Sequence, residues 1–298
     1  MQRREFLKRG TLAGIGLGLS NSLWATESEF AQAKKLTILH TNDMHSRIEP
    51  FPNDGSRNAN QGGMTKLATL INEVRNEEEN ILLLDSGDFF QGTPYFNVYG
   101  GELELKLMSQ MGYDASTLGN HEFDNGLEGI AKQLEHAQFD ILCSNYDFSD
   151  TILKNAFPAY KIFSKKGLKI GVFGLGIKLE GLVSAKNYGN TKFLDPVSVS
   201  NEMVKELKSK KCDLVICLSH LGYQSDLKLS DEVTGIDLIL GGHSHTFLDQ
   251  PVIKIDAHNH KTIINQVGTG ALRLGKLDFE FSKNPQTSFA SARNLHVY

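Results

Sequence analysis

The sequence predicts an α/β fold of four layers, in which two stacked mixed sheets lie between outer helices (an α/β/β/α sandwich). In the first half, apolar strand-like runs alternate with segments of helical periodicity, a pattern typical of a sheet covered by helices. A hairpin after Tyr160 and a β-rich tail after Pro251 require a second sheet. The 298 residues suffice for one large domain.

The elements of the first half follow from apolar spacing. The predicted strands are Leu36–His40, Ile81–Asp85, Ser116–Gly119 and Phe139–Cys143. The predicted helices run from Met64 to Val74, from Leu103 to Met111 and from Gly126 to Ala137. A long loop rich in Pro, Asn and Gly separates the first strand from the first helix. This alternation places most of the predicted helices between strands.

The second half is richer in strands. YKIFS and LKIGVFG flank Lys165-Lys166-Gly167 and predict a hairpin, because glycine permits a tight turn. Val199, Met203, Val204 and Leu207 predict one more helix. LVICLS and IDLILGG are two further buried runs, and VIKID, TIINQ and KLDFEF are predicted as strands of the tail.

The N-terminus has the layout of an export signal. RREFLK in residues 1–25 resembles a twin-arginine signal, and a short apolar, Gly-rich core and a small residue, Ala25, follow it. We expect a periplasmic or otherwise exported protein without a stable membrane span after processing; an N-terminal membrane anchor is the alternative. The remaining boundaries are predicted as a linker over 26–34, the main domain over 35–285 and a tail over 286–298.

Composition excludes some classes of protein. The formal net charge is −4 and there is no long basic run, so we expect no binding to nucleic-acid duplexes. Cys143, Cys212 and Cys217 do not form a disulfide framework and are predicted to be small buried hydrophobic residues.

Five short motifs each place a metal-capable side chain after a strand-like run. They are Asp43 and His45 in LHTNDMH, Asp88 in LLLDSGD, Asn120 and His121 in LGNHE, His220 in CLSH, and His243 and His245 in GGHSH. In open α/β sheets, ligands bind beyond the carboxyl ends of the strands. The five motifs therefore predict one site along the edge of one sheet.

The residue types suit a pair of divalent ions. Asp43 and His45 are two residues apart, so on an extended segment both side chains reach one ion. Asp88 follows a glycine and is the natural bridging carboxylate. Imidazole favours zinc, manganese or iron and carboxylate favours manganese or magnesium, so Zn, Mn, Fe, Mg and Ca all remain candidates. Two ions about 3.5–4 Å apart can clamp the oxygens of a phosphoryl displacement.

His121 follows a predicted ligand directly and is suited to give a proton to a leaving oxygen. Asp124, three residues on, is placed to hold that imidazole in one tautomer. Glu122 is expected to make a hydrogen bond behind the site, and Phe89-Phe90 to form wall or core. Arg47 either approaches a phosphate or is solvated.

The motifs LHTNDMH, GGMTKLATLI, LLLDSGDFFQGTP, STLGNHEFDNG, LSHLG and GGHSH together resemble the calcineurin-like metallophosphoesterases. The resemblance is narrower to the catalytic domain of the bacterial 5′-nucleotidase and UDP-sugar hydrolase family, and it runs from about Leu36 to Leu277. It implies one ion on Asp43, His45, Asp88 and His245, and a second on Asp88, Asn120, His220 and His243. It also implies attack by a metal-bound hydroxide, with His121 and Asp124 as the catalytic pair.

The sequence departs from that family in two respects. His245 stands where the nucleotidases commonly have glutamine. The family's C-terminal domain, which supplies arginines for the phosphate and aromatic rings for the base, has no counterpart before Tyr298. We therefore expect a separate polypeptide to supply this domain, and the substrate-binding residues stay unidentified.

The leading hypothesis is an exported two-metal phosphomonoesterase acting on 5′-nucleotides or other phosphate esters. One alternative keeps the same site and cleaves thiosulfate groups or cyclic nucleotides. Another is a metal-loaded binding subunit of a complex.

Overall fold

The computed structural model describes residues 34–281 and 287–298. The predicted export signal, residues 1–25, lies outside the described residues, as does the predicted linker up to residue 33. Among the helices of the described part, none is long and apolar enough to cross a membrane.

The described residues form strands and helices that we number in chain order. The strands are β1 Lys34–Thr41, β2 Ile81–Asp85, β3 Ala115–Thr117, β4 Asp140–Leu142, β5 Tyr146–Asp147, β6 Tyr160–Lys165, β7 Leu168–Leu175, β8 Lys192–Phe193, β9 Leu214–Ser219, β10 Leu238–Gly241, β11 Val252–Ile255, β12 Lys261–Asn265, β13 Arg273–Phe281 and β14 Thr287–His296. The α-helices are α1 Met64–Glu77, α2 Pro94–Tyr99, α3 Glu102–Met111, α4 Gly126–Gln133, α5 Ala185–Tyr188, α6 Pro196–Ser209 and α7 Tyr223–Glu232. Short 3-10 helices cover His121–Phe123 and Leu134–His136.

Two large mixed sheets dominate the fold. The first has the order β14-β13-β1-β2-β3-β4, and the second has the order β11-β12-β10-β9-β7-β6. Strands β1 to β4 are parallel, as are β7, β9, β10 and β12. Antiparallel strands complete the sheets at β13 and β14, at β6 and at β11. The predicted fold class is confirmed.

Three apolar layers hold the sheets and helices together. Ile38 and Leu84 of the first sheet pack with Ile216 of the second between the sheets. Leu39, next to Ile38 in β1, belongs instead to the core shared with helices α1, α3 and α4. Neighbouring residues of a strand point to opposite faces, and here both faces are buried. A third core joins the other face of the second sheet to α6 and α7.

The local predictions for helices are confirmed at α1 and need adjustment at α3. Met64, Leu67, Ile71 and Val74 are the buried residues of α1, at the predicted spacing. In α3 the buried apolar face consists of Leu105, Met108 and Met111, whereas Leu103 and Leu107 are only partly buried. Helix α3 ends at Met111, as predicted, and Gly112 after it has a left-handed backbone conformation.

The tail departs from the prediction. The segment KLDFEF belongs to β13, which joins the first sheet beside β1 rather than the second. Residues 287–296 of the predicted tail form β14, which pairs antiparallel with β13 and corrects the boundary drawn at residue 285. Its sequence, TSFASARNLH, lacks an apolar run because β14 is a sheet edge held by its backbone ladder. The three cysteines are buried and free.

Candidate metal centre

The predicted metal ligands follow the carboxyl ends of strands from both sheets. Asp43 and His45 follow β1, Asp88 follows β2, and Asn120 follows β3 in the first sheet. His220 follows β9, and His243 and His245 follow β10, in the second sheet. The prediction of one sheet edge is therefore wrong: because the sheets are stacked, their carboxyl ends meet and form the site together.

Five of the seven predicted ligands have left-handed backbone conformations. The φ angles are 50° at Asp43, 49° at His45, 54° at Asp88, 67° at His243 and 50° at His245. The expectation that Asp43 and His45 lie on an extended segment is therefore wrong. Aspartate and histidine are among the non-glycine residues that tolerate this conformation best. At each of these five positions the backbone thus turns sharply at the residue whose side chain carries the ligand atom.

Hydrogen bonds fix the orientation of the Asp43 carboxylate. The side-chain amide of Asn42 donates to Oδ2 over 2.6 Å, and the backbone N–H of His243 donates to Oδ2 over 3.0 Å. Oδ1 lies 3.3 Å from Nε2 of His245 and 3.8 Å from Nε2 of His45. One oxygen is therefore held mainly by protein donors while the other faces two imidazoles.

Asp88 lies between two sets of histidines. Its Oδ1 accepts the backbone N–H of His121 over 2.8 Å. Its Oδ2 lies 3.1 Å from Nε2 of His220 and 4.0 Å from Nε2 of His45. This intermediate position suits the bridging role predicted for Asp88.

The buried atoms of His220 test whether a cation fits here. Nδ1 lies 2.6 Å from the carbonyl oxygen of Ser86, which accepts only from a protonated nitrogen. In the neutral ring Nε2 then carries a lone pair and no proton. This buried atom makes no hydrogen bond with the described residues. A buried lone pair facing the Asp88 carboxylate is unfavourable unless a positive charge joins them.

The pKa shifts of this pair point the same way. Burial lowers the pKa of His220, but the Asp88 carboxylate outweighs burial and raises it to about 10. Burial raises the pKa of Asp88, but the charge of His220 outweighs burial and holds it well below its usual range. The pair therefore favours a positive charge at this position.

The candidate ligand atoms form three groups, one of which joins His45, Asp88 and His121 and cuts across the two predicted ion sites. Asp43, His45 and His245 form one group and Asp88, His220 and His243 another, each with its ligand atoms within 4.8 Å of one another. Nδ1 of His243 lies 2.9 Å from Oδ1 of Asn120, which places the amide beside the second group. The residues present therefore fit divalent ions.

Two glycines leave space that these side chains fill. A Cβ atom on Gly119 would lie 2.2 Å from Oδ1 of Asp88 and 2.7 Å from Nε2 of His220. A Cβ atom on Gly242 would lie 2.8 Å from Nδ1 of His220. The glycines of the GNHE and GGHSH motifs are therefore required by the close approach of the ligands.

Glu122 organises the backbone behind the site. Its buried carboxylate accepts the N–H groups of Asp88 at 3.0 Å, Phe90 at 3.1 Å and Gly119 at 2.6 Å. The predicted hydrogen bond behind the site is confirmed. Phe89 and Phe90 are buried in the core, as expected. The guanidinium of Arg47 lies 4.2 Å from the ring centre of Phe51.

Two buried residues that sequence analysis missed also support the ligand loops. The amide of Gln266 donates to the carbonyl of Gly242 over 2.6 Å and accepts the N–H of Thr246 over 2.5 Å, which clamps the GGHSH turn. Gln266 ends the predicted strand TIINQ, so its position after β12 was the only available signal.

The second missed residue is Asp85. Its carboxylate accepts the Thr41 hydroxyl of β1 over 2.7 Å and the Ser116 hydroxyl of β3 over 2.8 Å. It also accepts the N–H of Gly87 over 2.9 Å. Asp85 thereby ties together the strand ends from which Asp43 and Asp88 emerge.

His121 and Asp124 form a pair at the rim of the centre. Nδ1 of His121 lies 2.8 Å from Oδ2 of Asp124, and this hydrogen bond raises the pKa of His121 to about 8. Nε2 is left for other contacts, and the ring lies 5.2 Å from that of His45. The side chain of Asn187 donates to the Asp124 carbonyl over 2.8 Å and steadies the pair from α5.

Known proteins are similar to this chain in sequence. The family model described as calcineurin-like phosphoesterase matches residues 36–247. This chain belongs to that family. It is 38% identical to rat 5′-nucleotidase over 235 residues, which are 76% of this chain and 40% of the rat protein.

Solved structures agree with this fold. The 5′-nucleotidase precursor of Thermus thermophilus has a TM-score of 0.83 and 32% identity, covering 89% of this chain and 55% of that one. The NAD nucleotidase of Haemophilus influenzae has a TM-score of 0.80 and 28% identity, with 89% and 50% covered. This phosphoesterase chain thus spans about half the length of the relatives it matches.

Proposed function

We propose that this chain hydrolyses phosphate monoesters, and 5′-nucleotides in particular, with two divalent ions held between its sheets. The facing acceptors of His220 and Asp88 support this most directly, because such a buried pair favours a positive charge between its two atoms, which a divalent ion would supply. The similarity to 5′-nucleotidases supports the nucleotide as substrate.

The seven ligands divide the work of binding the ions. Asp43, His45 and His245 would hold one ion, with Asp88 shared. The second would be held by the amide and imidazoles of Asn120, His220 and His243. Divalent ions in such a site supply charge stabilisation to the phosphoryl group and lower the pKa of water. Imidazole and carboxylate ligands together accept several divalent ions, including zinc, manganese and iron.

His121 is the proposed proton donor to the leaving oxygen. Its Nδ1 is committed to Asp124, which fixes the tautomer and leaves Nε2 for the substrate. With its pKa raised to about 8 by that hydrogen bond, the ring carries a proton at neutral pH. Asp124 therefore acts through His121 by orienting it.

Export and a partner domain remain further proposals. The RREFLK layout of residues 1–25 supports export through a twin-arginine route to the periplasm. A separate polypeptide carrying a substrate-binding domain would add remote binding energy to the chemical step. Kinetics of the purified chain with and without such a polypeptide test the second proposal, and fractionation of cells tests the first.

The central experiment follows phosphate release from AMP after chelation and after addition of Mn²⁺. We expect activity only with the added ion. His121→Asn should slow hydrolysis of an alkyl phosphate by about 100-fold or more, since the poor leaving group needs the proton. The same variant should slow p-nitrophenyl phosphate much less. His258→Asn, at an exposed histidine, is the matched control.

Two results would contradict the proposal. A metal-replete chain that binds AMP without releasing phosphate would be a binding subunit. A chain that cleaves thiosulfate groups or cyclic nucleotides faster than AMP would have the same site and a different substrate.

A further inference from the structure

Glu104 is a fully buried acidic residue that takes no part in the proposed chemistry. It lies in the first turn of α3, and its Oε1 contacts the hydroxyl group of Ser46, the residue that follows His45. Its Oε2 makes no hydrogen bond with the described residues, and no cationic side chain among them shifts its pKa. A carboxyl group in such surroundings is costly to ionise.

The turn that Glu104 contacts is one that needs support. His45 and Ser46 are consecutive residues with left-handed backbone, at φ angles of 49° and 53°. This conformation is unfavourable for residues with a Cβ atom, and serine is not among the types that tolerate it best. The N–H of Ser46 donates to the carbonyl of Phe89 over 3.0 Å. The orientation of the His45 side chain therefore depends on what holds Ser46 in place.

Thr93 holds Ser46 from the loop that follows β2. The hydroxyl group of Thr93 donates to the carbonyl of Ser46 over 2.7 Å, since a carbonyl oxygen can only accept. Oγ1 of Thr93 also lies 2.9 Å from Oγ of Ser46. Because the single hydroxyl proton of Thr93 is already used, this second hydrogen bond requires the hydroxyl proton of Ser46.

The contact between Ser46 and Glu104 is then left without a hydroxyl proton. Ser46 and Thr93 have one such proton each, and both lie in the hydrogen bonds between these two residues. The contact with Oε1 is a hydrogen bond only if the carboxyl group of Glu104 supplies the proton. Burial raises the pKa of this carboxyl group, which agrees with a protonated side chain. The three contacts together favour a neutral acid that donates to Ser46.

We propose that Glu104 is a positioning residue of the first ion site. As a neutral hydrogen-bond donor it holds the left-handed turn at Ser46 and thereby orients the imidazole of His45 towards the ion. The inference rests on the proposed function, in which His45 is a metal ligand.

The same turn of α3 supplies a matched control. Glu102 also lies in the first turn of this helix, but its side chain reaches the surface and pairs with Lys106 over 2.5 Å. Glu102→Gln therefore makes the same chemical change as Glu104→Gln at a position that does not contact the ligand turn.

The test measures Mn²⁺ binding to the full chain by calorimetry, which requires no catalysis. Glu104→Ala removes the donor, so we expect one of the two ions to bind about 10-fold more weakly per folded molecule. Glu104→Gln keeps a neutral donor of similar shape, so its Kd values should stay within about twofold of wild type. Glu102→Gln should leave both Kd values unchanged. A weakening in Glu104→Gln equal to that in Glu104→Ala would overturn the neutral donor.

Infrared spectroscopy reads the proton directly. The spectrum of wild type at neutral pH minus that of Glu104→Gln should contain the C=O band of a protonated carboxyl group. Other buried acids with a raised pKa, such as Asp85 and Asp226, are present in both proteins and cancel in the difference. Absence of the band would overturn the neutral donor.

A second variant decides the positioning role if Glu104→Ala does not fold. Ser46→Gly lacks the hydroxyl group and adopts positive φ freely, so it should fold and also bind one ion more weakly. Unchanged Kd values in folded Glu104→Ala, or in Ser46→Gly where the alanine variant does not fold, would overturn the positioning role. A wild-type chain that binds Mn²⁺ but releases no phosphate from AMP would overturn the proposed hydrolysis alone, because the Kd values still decide the role of Glu104.

Discussion

Two clusters of charged groups lie at opposite ends of β1, and they differ in where their positive charge comes from. At the amino end, Lys276 donates to Asp278 over 2.7 Å and to Glu78 over 2.9 Å, and Lys35 donates to Glu78 over 2.8 Å. We call Lys35, Glu78, Lys276 and Asp278 the lysine cluster. At the carboxyl end, the carboxylates of the metal centre face imidazole nitrogens.

The difference distinguishes a structural cluster from a binding site. The lysine cluster contains its own cations, so its carboxylates are satisfied within the protein. In the metal centre the ligand atoms are acceptors, and within each group of three residues they approach one another within 4.8 Å. Such a set is stable only when a cation is added or a histidine is protonated. Removing a residue should therefore have different consequences at the two ends.

The largest effect is expected at the metal centre. Asp88→Asn removes the charge shared by both ligand groups and should weaken Mn²⁺ binding by at least about 100-fold, more than the loss of an outer partner of a ligand. AMP hydrolysis should fall to background. Wild-type protein in Mn²⁺ at 100 times the Kd should gain about 2.7 kcal/mol of stability from the bound ion. This gain is measured as a rise in Tm. Retention of that rise by Asp88→Asn would remove the distinction between the clusters.

A smaller effect, on stability rather than on metal binding, is expected in the lysine cluster. The Lys276 side chain is only 5% exposed, so Lys276→Met leaves Asp278 and Glu78 without their main cation. We expect a loss of about 3–5 kcal/mol in urea unfolding. Mn²⁺ affinity and kcat per folded molecule should be unchanged. Partial recovery of stability in the double variant Lys276→Met, Asp278→Asn would confirm the unpaired charge as the cause.

The smallest effect concerns pH. Burial raises the pKa of Asp278, but the hydrogen bond from Lys276 outweighs burial and holds the pKa below its usual range. A carboxyl group with a lowered pKa in the folded state stabilises the protein above its unfolded pKa of about 3.9 and loses this contribution as pH falls below it. Wild type should therefore be more stable than Asp278→Asn at pH 7, and the two should converge towards pH 3. Parallel stability curves would contradict this.

Sequence patterns found the residues that meet in the candidate metal centre, because each signal is local. Asp88 and His220 come a few residues after apolar runs, and a strand in a doubly covered sheet must be apolar. The carboxyl ends of such strands then predict where the polar side chains meet. The layer architecture followed from the same alternation of strands and helices.

Non-local partners explain what the sequence did not reveal. Gln266 and Asp85 act through bonds to loops and strands far along the chain, and neither has a distinctive local pattern. Strand β14 is polar because it lies at an edge, so no apolar run marked it. The division of the ligands between two sheets depends on which strands pair, and strand order has no short sequence signature.

The left-handed backbone at Asp43, His45, Asp88, His243 and His245 has a practical consequence for dissecting this protein. In each case one residue both reverses the chain and carries the donor atom, so alanine would remove the donor and strain the turn at once. Glycine adopts positive φ freely. Glycine variants would therefore remove the ligand side chains while leaving the backbone path of the loops intact. They would distinguish loss of metal binding from distortion of the loops more clearly than alanine variants.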